Sequence, residues 1–205
     1  MRGSPGMLDS RYHWPNRILY YHLADWFSSR QRQQIETALW RLERKIGSNC
    51  VKFRRSNRWD AVQVRQGDGC GAQVGYVGSR YYQQMSLARG CFHRSGTIQH
   101  EFLHSLGIYH TQNRWDRDRY VDVNMWNVRP DKKRNFYKQP KSEADSFGLP
   151  YDYSSVMHYG GSFFANNKNY PTIATKDRRY QDRIGQREGL SEGDVRLIRK
   201  MYRCD

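Results

Sequence analysis

The chain has 205 residues, 35 Lys and Arg against 20 Asp and Glu, and a formal net charge of +15. That length fits one domain or two small lobes sharing a cleft, and an aromatic content of 14% excludes a disordered chain. No apolar run reaches the ~20 residues needed to cross a bilayer, and no heptad, collagen or solenoid period is present.

Met1–Gly6 lacks the apolar stretch of a secretory signal. Residues 1–10 are therefore read as a leader or a processed N-terminus, with Met1–Ser4 set outside the fold and residues 11–205 as the folded domain. Arg17–Leu23 (RILYYHL) follows a Trp-Pro-Asn turn signal and is rich in β-formers, so a strand is expected. Ser28–Ile46 places Ile35, Leu39, Leu42 and Ile46 at spacings of four, three and four, and ends before Gly47. This predicts an amphipathic helix capped by Ser28. Ala61–Arg65 and Gln84–Ala88 read as short strands, and Gly67–Gly78 as a loop holding at most one more. Thr97–Leu106 reads as a helix stopped by Gly107. The stretch from Asn113 to about Tyr151 is punctuated by Pro130, Pro140 and Pro150 and reads as irregular. Ser191–Tyr202 predicts a last helix, with Ser191 and Asp194 placed as a capping box. The order implies an α+β fold: an N-terminal sheet lobe over about 11–107, a loop-rich C-terminal lobe over about 108–205, and the central helix at their junction.

Cys50, Cys70, Cys91 and Cys204 allow three pairings, and none forms a CxxC motif. Two structural disulfides in an oxidising compartment fit this count better than a Cys-rich metal site. The basic residues, 26 Arg and 9 Lys, are spread along the chain. No zinc-finger, RNP or basic-zipper pattern accompanies them, so no specific nucleic-acid partner is expected. Acidic protein substrates or a polyanion remain compatible with such a field.

The chemistry concentrates in residues 100–110, HEFLHSLGIYH. His100 and His104 lie one helical turn apart, so both imidazoles point to one side and can hold a metal. Glu101 is rotated one residue round that turn, toward the open side of the ion where a water would sit. Gly107 can adopt the left-handed conformation that stops the helix and returns His110 as a third ligand. Three protein nitrogens with one open position is the pattern of a catalytic zinc site.

This extended motif, the Asn113–Asp118 segment, the candidate Met-turn Ser154–Tyr159 (SSVMHY), the tail Ile184–Asp194 and Trp14-Pro15 together resemble the astacin family of metzincin zinc endopeptidases. The resemblance runs from about Arg11 to Cys204. It implies an astacin-like fold with a twisted N-terminal sheet lobe and an active-site cleft between the lobes. It implies one Zn²⁺ per chain on His100, His104 and His110, with Glu101 as the general base of a zinc-activated water. Tyr159 matches the family tyrosine that ligates or neighbours the metal, as a fifth ligand or an oxyanion donor. Met157 matches the Met beneath the metal, a packing role, while His158 is assigned to structure. The resemblance also implies the disulfides Cys50–Cys204 and Cys70–Cys91, a secreted protein, and extended protein or peptide substrates. Gln84, Met85, Ser86, Leu87 and Ala88 match the cleft edge strand that pairs with substrate. Arg94 is expected to favour acidic residues after the cut. The family usually has Glu after the third His, where it pairs with the mature N-terminus; here Thr111 stands in that place. No pro-segment is recognisable, so the chain reads as a mature domain.

Overall fold

The computed structural model describes residues 3–78 and 82–204. Strand β1 (Gly6–Met7) is followed by β2 (Ile18–Leu23), whose alternate residues Leu19, Tyr21 and Leu23 are buried. Helix α1 (Ser29–Ile46) follows. Ser28 caps it by accepting from the Gln31 amide, while the Gln31 side chain accepts from the Ser28 amide. The helix stops at Gly47, where φ is +111°. Strands β3 (Lys52–Arg55), β4 (Val62–Arg65), β5 (Cys70–Ala72) and β6 (Gln84–Leu87) complete a five-stranded sheet in the order β3–β2–β4–β6–β5. All neighbours are parallel except β5, which runs antiparallel to β6.

Strand β3 escapes the sequence pattern because Phe53 is its only apolar residue. The topology also corrects the placement of Gln84–Ala88 at the sheet edge. Strand β6 lies between β4 and β5, with Met85 and Leu87 fully buried, and Ala88 lies just past its end. The antiparallel edge is β5. The physical reason is the Gly-rich segment 67–78, whose one short strand, β5, folds back to cover the outer side of β6.

Helix α2 (Ser95–Ser105) starts two residues before the predicted Thr97. It packs with α1 on the sheet, where Phe102 meets Tyr21 and Phe53 edge-on at ring separations of 5.7 and 5.9 Å. After α2 the chain is mostly turns. Strand β7 (Val121–Val123) pairs with β9 (Ile173–Thr175), and β8 (Ala144–Asp145) pairs with β1. A second, aromatic-rich core of Phe136, Tyr151, Tyr153 and Tyr159 with Val121, Val128, Ile173 and Ile184 supports this half. Helix α3 (Glu192–Met201) is capped by the Ser191–Asp194 box and returns Leu197, Ile198 and Met201 to the first core. The disulfides are Cys50–Cys204, beside the end of α3, and Cys70–Cys91, which ties β5 to the approach to α2. Among the described residues no helix is long and apolar enough to cross a membrane.

Gly3 and Ser4 do not lie outside the fold. The Gly3 amide donates to the Pro150 carbonyl, and Ser4 is fully buried. Residues 3–7 run between the segment leaving α2 and residues 144–151: Met7 N–H donates to Gly107 C=O, and Pro5 C=O accepts from Tyr109 N–H.

Candidate metal centre

The end of α2 sets the site. Gly107 has φ of +102°, its amide donates to the His104 carbonyl, and the Ile108 amide donates to the Leu103 carbonyl. This is a Schellman closure, which reverses the chain within two residues and is available at low cost only to glycine. His100 and His104 project from one side of the helix, and the reversed chain brings His110 against them. The three Nε2 atoms lie 3.0, 3.1 and 3.2 Å from one another.

The far side of two rings is fixed by backbone. His100 Nδ1 lies 2.8 Å from the Val156 carbonyl, and His104 Nδ1 lies 2.7 Å from the Ile108 carbonyl. A carbonyl accepts only, so each Nδ1 carries the proton and each Nε2 presents a lone pair to the centre. Burial holds all three imidazoles below their ordinary pKa, His104 at about 4, so they are neutral at pH 7. The lone pairs of His100 and His104, 3.1 Å apart, repel, and a cation relieves that. Tetrahedral bonds of about 2.05 Å place nitrogens roughly 3.3 Å apart, close to the spacing seen. The residues fit a divalent ion that takes nitrogen ligands. These are also the only His, Cys, Asp or Glu residues so grouped among the described residues.

Glu101 is 4% exposed, and its Oε2 has no hydrogen-bond partner among the described residues. Burial raises its carboxyl to about 8, and the Arg187 charge opposes that rise. Tyr159 packs its ring 4.2 Å from that of His110. Burial, with Glu101 nearby, raises its phenol above the ordinary range, so it keeps its proton. Met157 is fully buried, and its carbonyl accepts from the Thr111 amide, one residue past His110. His158 spans Tyr151 Oη at 2.8 Å and the Tyr159 carbonyl at 2.7 Å, which occupies both ring nitrogens in structure.

Arg94 is not gathered into this group. It is exposed at the start of α2, six residues and roughly 9 Å of helix axis before His100. The basic side chain that does reach the site is Arg187. Its Nη1 donates to the His158 and Gln186 carbonyls, and its charge acts on Glu101, Tyr159 and all three imidazoles. Among the described residues no carboxylate lies within ion-pair distance of it. No local spacing marks Arg187 in a chain with 26 arginines.

Thr111 has a partner of another kind. Its hydroxyl lies 2.7 Å from that of Ser4, which lies 2.9 Å from Ser155 Oγ. Ser155 donates to Asp194 at 2.6 Å, and Asp194 also accepts from the amide of Val156, whose carbonyl holds His100. Neutral hydroxyls here join the N-terminal segment to two of the three histidine positions.

The family model described as Astacin matches residues 7–203. Zinc metalloproteinase nas-37 of Caenorhabditis elegans is 37% identical over 197 residues, 95% of this chain and 25% of its own length. Mouse meprin A subunit beta is 35% identical over 203 residues, 98% of this chain and 28% of its own. The chain thus spans about a quarter of these two relatives. Among solved structures, high choriolytic enzyme 1, a hatching enzyme zinc-protease of the medaka Oryzias latipes, superimposes with a TM-score of 0.86 at 33% identity, covering 99% of this chain and all of that one.

Two measurements check this geometry. In metal-free protein the folded state keeps the Glu101 proton up to about pH 8, whereas the unfolded chain loses it near 4.5. The contribution of this group to stability is complete below pH 4.5 and declines as pH rises toward 8. Urea unfolding should therefore show Glu101→Gln gaining on the parent between pH 5 and 8; a pH-independent difference contradicts the buried carboxyl. Ser4→Ala should weaken zinc binding on the order of tenfold in competition with a chromophoric chelator. Thr111→Val, which deletes the partner hydroxyl, should match it, and unchanged affinity in both contradicts the link.

Proposed function

Because the chain belongs to the astacin family, we propose that it is a secreted zinc endopeptidase, binding one Zn²⁺ on His100, His104 and His110 and hydrolysing extended protein substrates. The observation that carries this is the meeting of three Nε2 atoms, two of them on rings locked by backbone carbonyls so that they present lone pairs, beside a buried carboxyl with an unpartnered oxygen. Zinc bound there supplies a Lewis acid that polarises the scissile carbonyl and lets water act as a nucleophile near neutral pH.

The remaining chemistry belongs to the chain. Glu101 accepts the proton of the attacking water at a carboxylate oxygen and delivers it to the leaving amine. Burial disfavours its ionised form, and the Arg187 charge offsets only part of that penalty. Tyr159 stays protonated and close to His110, so its hydroxyl can donate to the oxyanion as charge develops. The substrate adds as a strand along β5, which ends the sheet beside α2. Backbone bonds give affinity and side-chain pockets give selection. The two disulfides agree with an oxidising, extracellular setting.

Acid selectivity after the cut is assigned to Arg187 in place of Arg94. A half-buried guanidinium without a carboxylate partner gains from a bidentate acid on the substrate, whereas Arg94 is exposed and remote from the histidines.

The test is cleavage of matched peptides carrying Asp or Leu after the cut. The parent should cut both, lose activity to a chelator, and lose at least 10²-fold in Glu101→Gln. Arg187→Gln should reduce the Asp-to-Leu preference by more than tenfold and Arg94→Ala should leave that ratio unchanged. Chelator-insensitive cutting overturns the zinc reading; a ratio moved by Arg94 alone overturns the assignment to Arg187.

A further inference from the structure

The surface charges of this chain are handled in two ways. Many arginines are neutralised by an aspartate two residues away: Arg11–Asp9, Arg58–Asp60, Arg129–Asp131 and Arg179–Asp177, at 2.6–3.0 Å. One face of the molecule departs from this pattern. Arg30, Gln34, Thr37, Arg41 and Lys45 follow one another on α1 at spacings of four, three, four and four, so they form a single stripe. The stripe runs about 22 Å from Arg30 to Lys45. Its first half borders a groove of about 340 Å³ lined by Arg30, Arg41, Phe92 and Ser95. Its second half borders an open groove of about 710 Å³ lined by Lys45, Arg94 and Arg183. Arg41 and Lys45 are one helical turn apart and Arg94 precedes Ser95, so the two grooves adjoin.

Arg30, Arg41, Arg94 and Arg183 are all exposed, and none has a carboxylate within ion-pair distance among the described residues. Lys45 donates to the Leu190 carbonyl and lies 3.7 Å from Glu192. The acids on this face are Asp182 and Glu188, which line the groove with Arg183, and Glu192, which lies beside Lys45; Arg30 and Arg41 of the stripe stay unpaired.

We propose that this paired groove is a binding site for a linear sulfated polysaccharide. Three features select that class. Three of the cations, Arg30, Arg41 and Lys45, follow one face of α1, as a repeating anion requires. All but Lys45 are arginines, whose planar fork matches the two oxygens of a sulfate. The lining offers Phe92, half-buried, as its only aromatic ring. It therefore lacks both the stacking platform that single-stranded nucleic acid uses and the apolar anchor pocket that a protein partner uses. This site is separate from the three histidines and holds whether or not the chain cleaves peptides.

The test is binding of fluorescent heparin oligosaccharides to metal-free protein, so that loss of catalysis cannot be mistaken for loss of the site. The variant Arg30→Gln/Arg41→Gln/Arg94→Gln removes unpaired cations of the groove. Arg11→Gln/Arg129→Gln/Arg179→Gln removes the same charge from paired positions elsewhere. The groove variant should weaken heparin binding at least tenfold and flatten the dependence of log Kd on log salt by more than one unit. The control variant should bind within twofold of the parent. Desulfated heparin, poly-glutamate and oligothymidylate should each bind at least tenfold more weakly than heparin. Equal losses in the two variants would show that net charge alone attracts polyanions, and would overturn the site. Unchanged binding in the groove variant overturns it equally. Poly-glutamate or oligothymidylate binding as tightly as heparin overturns the sulfate assignment.

Discussion

Everything in this chain is arranged around one electrostatic conflict. Three neutral imidazoles bring their Nε2 atoms within 3.0–3.2 Å of one another, His100 and His104 buried and His110 half-buried. The lone pairs of His100 and His104 repel across that centre, a cation there relieves the repulsion, and the group stays assembled before the cation arrives because the surroundings hold the rings. The surroundings supply that restraint as backbone. The Val156 and Ile108 carbonyls fix two tautomers, and the Schellman turn at Gly107 fixes the return of the chain. Such outer partners orient metal ligands and raise their basicity.

The restraint extends further than the ligands. Pro5 holds the Tyr109 amide and Ser4 holds the Thr111 hydroxyl, so the N-terminal segment grips both neighbours of His110. From Ser4 the hydroxyl chain passes through Ser155 to Asp194, which also caps α3 and fixes the Val156 amide. Burial, with Asp152 next in effect, raises the Asp194 carboxyl to about 6. Arg114 adds a further clamp. Its Nη1 donates to the Gly3 and Leu149 carbonyls while it pairs with Asp116 at 2.8 Å, both side chains buried. Departure of the N-terminal segment would strand these buried polar groups, each costing on the order of 1–3 kcal/mol. The segment is thus part of the metal site, though it contributes no ligand.

The metal ligands are legible in the sequence because HExxH with a glycine and a third histidine encodes its geometry in helical spacing. Helices α1 and α3 are legible through apolar period and capping residues, with boundaries within two residues. The rest depends on contacts between distant segments. Strands β1 and β8 are two residues each and carry no period, and β3 has a single apolar residue. The residues of β6 alone do not reveal the order of the sheet, so Gln84–Ala88 reads as an edge when it is interior. Arg94 and Arg187 show the same limit: proximity in sequence to α2 favours the first, while hydrogen bonds to the His158 and Gln186 carbonyls hold the second near the site. The Ser4–Thr111 contact spans 107 residues and involves two of the least distinctive side chains. The disulfide pairing is legible only through family resemblance, since spacing leaves three choices.

The central claim is that these three imidazoles hold a catalytic metal with one position left open. Zinc-edge X-ray absorption on protein reconstituted with one equivalent tests it most directly. The account predicts a shell of nitrogen and oxygen neighbours at about 2.0–2.1 Å, scattering from three imidazoles, and loss of one imidazole contribution in His110→Ala. Sulfur in the first shell, or a spectrum unchanged by His110→Ala, would contradict it.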